Sequence, residues 1–189
     1  MGILMDAGPA RGWTEDLETI DDLVWYAPRE RLRSALIAGV EAVWTELCQG
    51  EAMPRKSAID PVDFKPWLPY LSLIEIHDPP FRIRYRLVGT ETVRFGGEDY
   101  TGKWLEETGW TPAAQALNLA LYKRLFDTGR PVFGFSATEW RGRRDCLFEW
   151  ALFPFADTAG RMAYCLSADD FSTIAPRTSL LRESDAVPP

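Results

Sequence analysis

The sequence has little of the chemistry that metal sites and disulfide frameworks require. Its single histidine, His77, excludes any metal site built on two imidazoles. Its three cysteines, Cys48, Cys146 and Cys165, are odd in number, far apart and set in apolar surroundings, so they match neither a metal-ligand spacing nor a disulfide framework. We therefore expect buried free thiols, which suit a reducing cytoplasm.

Long apolar runs and an excess of positive charge are also missing. No segment approaches the roughly 20 apolar residues of a membrane span, and the N-terminus lacks the basic-then-apolar pattern of a signal peptide. The 21 basic and 28 acidic residues give a net charge of −7, which disfavours binding to phosphate backbones. These features predict a cytoplasmic protein that binds no nucleic acid and spans no membrane.

The usual catalytic signatures are absent as well. A Ser-His-Asp arrangement would have to use His77, and no G-x-S-x-G motif occurs. The pair Gly96-Gly97 is followed by Glu98 and Asp99, whose charges repel phosphate. The sequence therefore predicts a binding module and no enzyme activity.

Helical periodicity is present in the first quarter of the chain. Residues 1–28 predict an N-terminal extension that is helical over 14–26, where apolar residues recur at spacings of three and four. Residues 29–50 predict a long amphipathic helix with an apolar stripe from Leu32 to Leu47. We expect this stripe to pack on the main domain or on a second copy of the chain, which would form a homodimer.

Strand patterns dominate the rest of the chain. A main domain is predicted over 51–175, with a proline-rich entry at 53–69 whose role stays open, and a flexible tail over 176–189. Between the second and third strands, a short helix over 90–95 and a longer one over 113–127 are predicted. The predicted strands are 71–77, 81–88, 131–141, 146–155 and 161–169.

This order of elements predicts an α+β fold. Two hairpin-paired strands can join three later ones in one sheet only if the helical middle segment crosses over. We expect a five-stranded antiparallel sheet with helices on one face, preceded by the N-terminal helical extension.

Four segments resemble a bacterial family of short, stand-alone PAS-like domain proteins. They are MPRKSAIDP at 53–61, LPYL at 68–71, YRLVGT at 85–90 and YTGK at 100–103. The resemblance covers about residues 31–172 and implies a PAS-like fold with a sensory, signalling or protein-interaction role. It implies no catalytic set and no particular ligand, so output would pass through an unidentified signalling partner or through oligomerisation.

The resemblance leaves the cofactor unknown. Flavin photochemistry of the light-sensing PAS type needs a cysteine in the middle segment, and residues 89–129 contain none. A haem iron would need His77, which lies at a predicted strand end beside Asp78, where an exposed structural histidine is the simpler interpretation. Both cofactors are therefore disfavoured.

A pocket for a small apolar or aromatic ligand is predicted between the sheet and the helices. Such pockets are mostly apolar, with a few polar groups that orient the ligand. Asn118 stands out because an amide on an apolar helix face needs a partner. The predicted lining residues are Tyr85, Leu87, Phe95, Trp104, Asn118, Tyr122, Trp150 and Tyr164.

Two alternatives stay open beside this prediction. A small cone-shaped α+β enzyme acting on a hydrophobic substrate would need a pocket acid of raised pKa, for which Glu75, Glu139 and Glu149 are the candidates. The neighbours Asp169 and Asp170 point to opposite faces of a strand and are expected to be solvated surface charge. The second alternative is a dimeric scaffold whose core is filled by its own side chains.

Overall fold

One antiparallel sheet organises the computed structural model, which describes residues 18–21, 23–138 and 143–176. Every neighbouring pair of strands in it is antiparallel. The strands are β1 (Glu18–Asp21), β2 (Val24–Tyr26), β3 (Leu71–His77), β4 (Arg82–Val88), β5 (Val132–Thr138), β6 (Arg143–Ala156) and β7 (Met162–Pro176). They lie in the order β1-β2-β5-β6-β7-β3-β4.

Helices cover both faces of this sheet. The helices are α1 (Ala35–Cys48), α2 (Thr90–Gly96) and α3 (Pro112–Thr128). α1 packs on one face, against β6 and β7, whereas α3 packs on the other. The middle helices α2 and α3 share one face as predicted, and α1 of the N-terminal extension covers the other. Residues 146–156 are buried without interruption, and a strand that is apolar on both sides needs cover on both.

The segment predicted as the N-terminal helix forms strands instead. Within 14–26, the described part is β1 and β2, and residues 14–17 lie outside the described residues. β2 pairs with β5, which buries Trp25 in the core beneath α1 and Val24 in the core on the other face. These two strands raise the predicted five-stranded sheet to seven strands.

The long N-terminal helix is present as α1, but it starts later than predicted. Arg29–Arg31 forms a separate 3-10 turn, and the Ser34 hydroxyl then caps α1 by accepting the N–H of Ile37 at 2.9 Å. Trp44, on the apolar stripe, is only 8% exposed and donates its Nε1–H to the Pro154 carbonyl at 2.9 Å. The chain's own core therefore covers Leu32, Val40 and Trp44 of the stripe, and the homodimer through this helix stays a prediction.

The predicted helix boundaries around α3 agree with the structure. The Thr111 hydroxyl accepts the N–H of Ala114 at 3.2 Å, Pro112 is the first helical residue, and Gly129 ends the helix with a φ of 60°. α2 likewise follows Gly89 and ends at Gly97, which has a φ of 86°.

The predicted hairpin of β3 and β4 is present, with one irregularity. Leu73 and Ile74 are adjacent in β3, but they pair with Leu87 and Tyr85, which are two residues apart in β4. Arg86 is therefore the extra residue of a β-bulge, and a bulge interrupts the alternation of side chains between faces. Tyr85 is buried, whereas Leu87 is 60% exposed.

β7 is longer than predicted. It continues past residue 169 to Pro176, paired with β6 as far as Cys146. The flexible tail predicted from 176 otherwise falls on residues 177–189, which lie outside the described residues. No helix within the described ranges is long and apolar enough to cross a membrane.

Candidate functional site

A cavity of about 570 Å³ lies between the sheet and the helices α2 and α3. Its volume is in the range of small-molecule sites. Side chains of β3, β4, β6 and β7 contribute to the sheet side, and α3 contributes Leu117, Leu121 and Tyr122. The cavity is on the face opposite α1.

The mouth of the cavity is formed by the connection between α2 and α3. The exposed lining residues are Gly96, Gly109, Thr111 and Ala113, which all lie in or beside that connection. The lining residues on the strands are mainly buried. A ligand would therefore enter past the start of α3.

Four of the predicted pocket residues line this cavity. They are Tyr85, Asn118, Tyr122 and Trp150. The Tyr122 hydroxyl donates to the Tyr85 hydroxyl at 3.3 Å. Asn118 finds its partner within α3, because its Nδ2 donates to the Ala114 carbonyl at 2.9 Å.

The other four predicted residues do not line it. Phe95 stacks on the lining residue Phe171 with ring centroids 4.1 Å apart, so it lies one ring behind the wall. Trp104 is stacked under Arg82, whose guanidinium carbon is 3.8 Å from the ring centroid. The remaining two, Leu87 and Tyr164, lie in a separate groove together with Leu73.

The positions of Leu87 and Tyr164 follow from the strands that carry them. The bulge in β4 separates Leu87 from the face that Tyr85 occupies. Tyr164 precedes Cys165, which is buried in the core on the cavity side, and neighbouring strand residues point to opposite faces. Tyr164 accordingly packs against the core beneath α1.

The most consequential lining residue, Asp169, is not among the predicted pocket residues. It lines the cavity, and its side chain accepts a hydrogen bond from the Ser167 hydroxyl at 3.3 Å. Burial raises the pKa of Asp169 to about 7, and the Ser167 bond only partly opposes that rise. The sequence does contain a signal, since Asp169 closely follows the apolar run at 162–166 in the same strand.

Asp170 is buried and Asp169 is half-buried, so the expectation of solvated surface charge for this pair is wrong. Asp170 is 3% exposed and accepts a hydrogen bond from the Ser34 hydroxyl at 2.6 Å, at the start of α1. The predicted alternation is present, because Asp169 lines the cavity and Asp170 contacts the helix on the other face. The difference from the prediction is that β7 is more buried around residues 169 and 170 than a surface strand would be.

Three buried polar atoms of cavity-lining residues have no hydrogen-bond partner within the part of the chain that the structure describes. They are the hydroxyls of Ser72 and Thr92 and the indole nitrogen of Trp150, and the three residues are 2%, 5% and 3% exposed. Buried polar groups are nearly always paired in folded proteins, since an unpaired one loses its bonds to water. Because the three residues also line the cavity, a bound molecule is a candidate partner for these atoms.

Aromatic rings form one wall of the cavity. Tyr85 lies 4.6 Å from Tyr100 and 6.4 Å from Tyr122 between ring centroids, and Tyr100 lies 5.1 Å from Trp110. All of these contacts are edge-to-face. Burial raises the pKa of each of the three tyrosines, so their hydroxyls stay neutral at physiological pH.

The glutamates considered as catalytic acids of an enzyme are not among the described residues that line the cavity. Glu75 lies 3.7 Å from Arg86 in the separate groove, and Glu139 lies outside the described residues. Glu149 is buried on the α1 side, where its Oε2 accepts the N–H groups of Arg33 at 2.9 Å and Ser34 at 2.7 Å. Burial raises the pKa of Glu149, and those two bonds oppose the rise.

The residue considered as a haem ligand lies away from the cavity. His77 is not a lining residue; its side chain is 46% exposed and lies 3.5 Å from a Glu75 carboxylate oxygen. Within the described part of the chain, no group of three or more His, Cys, Asp or Glu side chains is arranged to hold a metal ion.

Comparison with known proteins identifies the family. The family model described as PAS domain matches residues 33–168, which is most of the chain. Comparison with curated proteins and with solved structures returned no match. The PAS-like fold inferred from the sequence is thereby confirmed, as is the general role of a sensory or interaction module. This chain belongs to the PAS domain family.

Proposed function

We propose that this chain is a sensory module that binds a small molecule in the cavity between the sheet and α3. The observation that carries the proposal is that three of the residues lining one cavity, Ser72, Thr92 and Trp150, each carry a buried polar atom without a hydrogen-bond partner in the described part of the chain. In a core filled only by its own side chains, such atoms would lower the stability of the fold, because each buried polar atom without a hydrogen bond costs free energy. A ligand that bonds to them recovers that energy.

Strands β6 and β7 connect the cavity with α1, because their side chains contact the cavity on one face and α1 on the other. Trp150 and Asp169 pair across the two strands and both line the cavity. Their chain neighbours Glu149 and Asp170 also pair, and both bind the start of α1. A ligand that shifts this strand pair changes the anchoring of α1, which a signalling partner or a second copy of the chain would detect.

The three cysteines support a cytoplasmic location for this module. Cys48, Cys146 and Cys165 are all free and buried, and burial raises the pKa of Cys48 and Cys165. Free thiols in these protected positions suit a reducing compartment. We include the cytoplasmic location in the proposal on this ground.

A thermal-shift screen of a diverse small-molecule library tests the proposal. The screen uses the wild-type chain, Ala114→Phe, which places a ring into the cavity, and Ala116→Phe, which adds the same ring on the exposed side of α3. Compounds that bind the cavity should raise the unfolding midpoint of the wild type and of Ala116→Phe, but not that of Ala114→Phe. A library without any such compound would contradict the proposal.

One observation favours a second candidate, an enzyme acting on a hydrophobic substrate. The pKa of about 7 at Asp169 is suited to general acid–base catalysis, and the Tyr85–Tyr122 hydroxyl pair lines the same cavity. Proton abstraction next to a carbonyl is the simplest reaction for such a site. Exchange of α-protons for deuterium in cyclic apolar ketones, followed by NMR, should be accelerated by the wild type and lost in Asp169→Asn if this candidate is correct.

A further inference from the structure

We propose that the ligand of this cavity is a small organic cation, an amine or quaternary ammonium with an aromatic or apolar body, whose charged group lies at Asp169. The inference rests on the proposed ligand-binding function and names the chemical class of the ligand. Three features support it: the charges on the cavity wall, its aromatic rings and the positions of its unpaired polar atoms.

The charges on the wall are all of one sign. Its two carboxylates belong to Asp169 and Glu98, and the described residues that line the cavity include no Lys, Arg or His. Glu98 already has a partner, because Lys103 donates to it at 2.6 Å. Among the described residues, the hydrogen-bond donor to the Asp169 side chain is the Ser167 hydroxyl at 3.3 Å, which carries no charge. A bound cation would supply the counter-charge that Asp169 lacks, whereas an anion would be repelled.

Aromatic rings share the cavity wall with that carboxylate. Seven aromatic residues line the cavity together with Asp169, namely Tyr85, Tyr100, Trp110, Tyr122, Phe148, Trp150 and Phe171. The charge of Asp169 also adds to burial in raising the pKa of the three tyrosines. The face of an aromatic ring is negative and attracts ammonium groups, most strongly when water is excluded. A carboxylate on a cavity wall rich in aromatic rings is an arrangement that suits an organic cation.

The unpaired polar atoms extend the description of the ligand. Trp150 is the cross-strand partner of Asp169, and Ser72 is that of Ser167. Direct partners lie about 5 Å apart between Cβ atoms, so these side chains form one polar strip across β3, β7 and β6. The Trp150 indole N–H can only donate. We therefore expect the ligand to carry an acceptor oxygen near its ammonium group.

Binding of such a cation would depend on pH through Asp169 alone. The other ionisable groups that face it are Tyr85, Tyr100, Tyr122, Cys165 and Glu98. Burial raises the pKa of the tyrosines and of Cys165, and the Lys103 bond lowers the pKa of Glu98, so none of them changes charge between pH 5.5 and pH 8. Affinity for a permanent cation should therefore rise about 30-fold over this range, following ionisation around pH 7.

Matched compounds test the inference by calorimetry at both pH values. One series is 2-phenylethylamine, 2-phenylethanol and 3-phenylpropionate, and a second is tryptamine, tryptophol and indole-3-propionate. We expect an amine to bind at least 10-fold more tightly than its alcohol and its acid at pH 8. Adding a hydroxyl beside the amine, as in 2-amino-1-phenylethanol, should strengthen binding in the wild type but not in Trp150→Phe.

Two variants separate the charge from the fold. Asp169→Asn should abolish both the preference for the amine and its pH dependence, whereas Asp63→Asn, an exposed acid away from the cavity, should change neither. If no amine in either series exceeds its alcohol, the cation inference is wrong. If cavity-blocked hits from the library are neutral or anionic, the ligand-binding function stands and only the cation inference fails.

Discussion

Asp169 is the residue on which the chemistry of the cavity depends. Burial raises its pKa from 3.8 to about 7, so between these values the folded chain binds a proton that the unfolded chain has released. Because the folded state then holds more protons, the free energy of unfolding falls as pH rises through this window. The contribution of Asp169 is fully favourable only below about pH 4.

The substitution Asp169→Asn should remove this pH dependence. At pH 8 we expect the variant to be more stable than the wild type by about 4 kcal/mol, since it no longer buries a charge that lacks a counter-charge, and at pH 4 we expect little difference. Urea unfolding at pH 4, 6 and 8 measures this difference in the free energy of unfolding, with Asp63→Asn as the charge-matched control. A variant less stable than the wild type at pH 8 would show that the carboxylate has a partner.

Thr92 tests whether the unpaired polar atoms are truly unpaired. Thr92→Val should stabilise the ligand-free protein by about 0.5–1 kcal/mol, because it removes a buried hydroxyl that has no hydrogen bond. The matched control is Thr108→Val, whose hydroxyl donates to the Leu105 carbonyl at 2.7 Å and whose loss should cost about 1 kcal/mol. Thermal unfolding of both variants checks the contrast, and equal losses would refute it.

Individual site residues were only partly predictable from the sequence. Tyr85, Tyr122 and Trp150 line the cavity as predicted, because their positions follow from alternation in a strand or spacing in a helix. The same alternation predicts that Leu87 also faces the cavity, but a bulge without a local sequence signal turns its side chain to the opposite face of the sheet. The position of Asp169 in the cavity could not be predicted locally, because it depends on tertiary packing that covers both faces of β7 beyond its apolar run.

At the scale of elements, α1 is attached to the sheet through its first turn. The Ser34 hydroxyl accepts the N–H of Ile37 and donates to the buried carboxylate of Asp170. The backbone N–H groups of Arg33 and Ser34 donate to Glu149. Negative charge at a helix N-terminus is favourable because the helix dipole is positive there.

Ser34→Ala should therefore cost more than the loss of a cap alone. It removes a cap bond and also deprives a buried carboxylate of a donor, so we expect a loss of about 2–3 kcal/mol. Thr111→Ala removes only the cap of α3 and should cost about 1 kcal/mol. Chemical unfolding of the two variants compares them. Equal losses would mean that Asp170 does not depend on the Ser34 hydroxyl.

Elements with local end signals were predictable, and elements defined by distant partners were not. Thr111, Pro112 and Gly129 mark α3 by chemistry that acts within a few residues. β2 has only three residues, so its apolar spacing also fits a helix, and its pairing with β5 lies more than 100 residues away. Pairing at that distance decides the structure and leaves no local trace.

At the scale of the whole molecule, the N-terminal strands are part of the core. Trp25 is 1% exposed and packs in the same cluster as α1, so Trp25→Ala should destabilise the protein by about 3–5 kcal/mol. Trp104→Ala, which removes a ring stacked on Arg82 outside the cavity, should cost about 1 kcal/mol. Guanidinium unfolding measures both. A small effect at Trp25 would mean that β2 is dispensable.

The central claim is that the cavity holds a small molecule, and native mass spectrometry tests it most directly. The freshly purified chain is measured under native and denaturing conditions, before and after incubation with a cell metabolite extract, beside Ala114→Phe. We predict extra mass on the native wild type that denaturation removes and that Ala114→Phe never retains. A native mass equal to that of the bare chain in every sample would contradict the account.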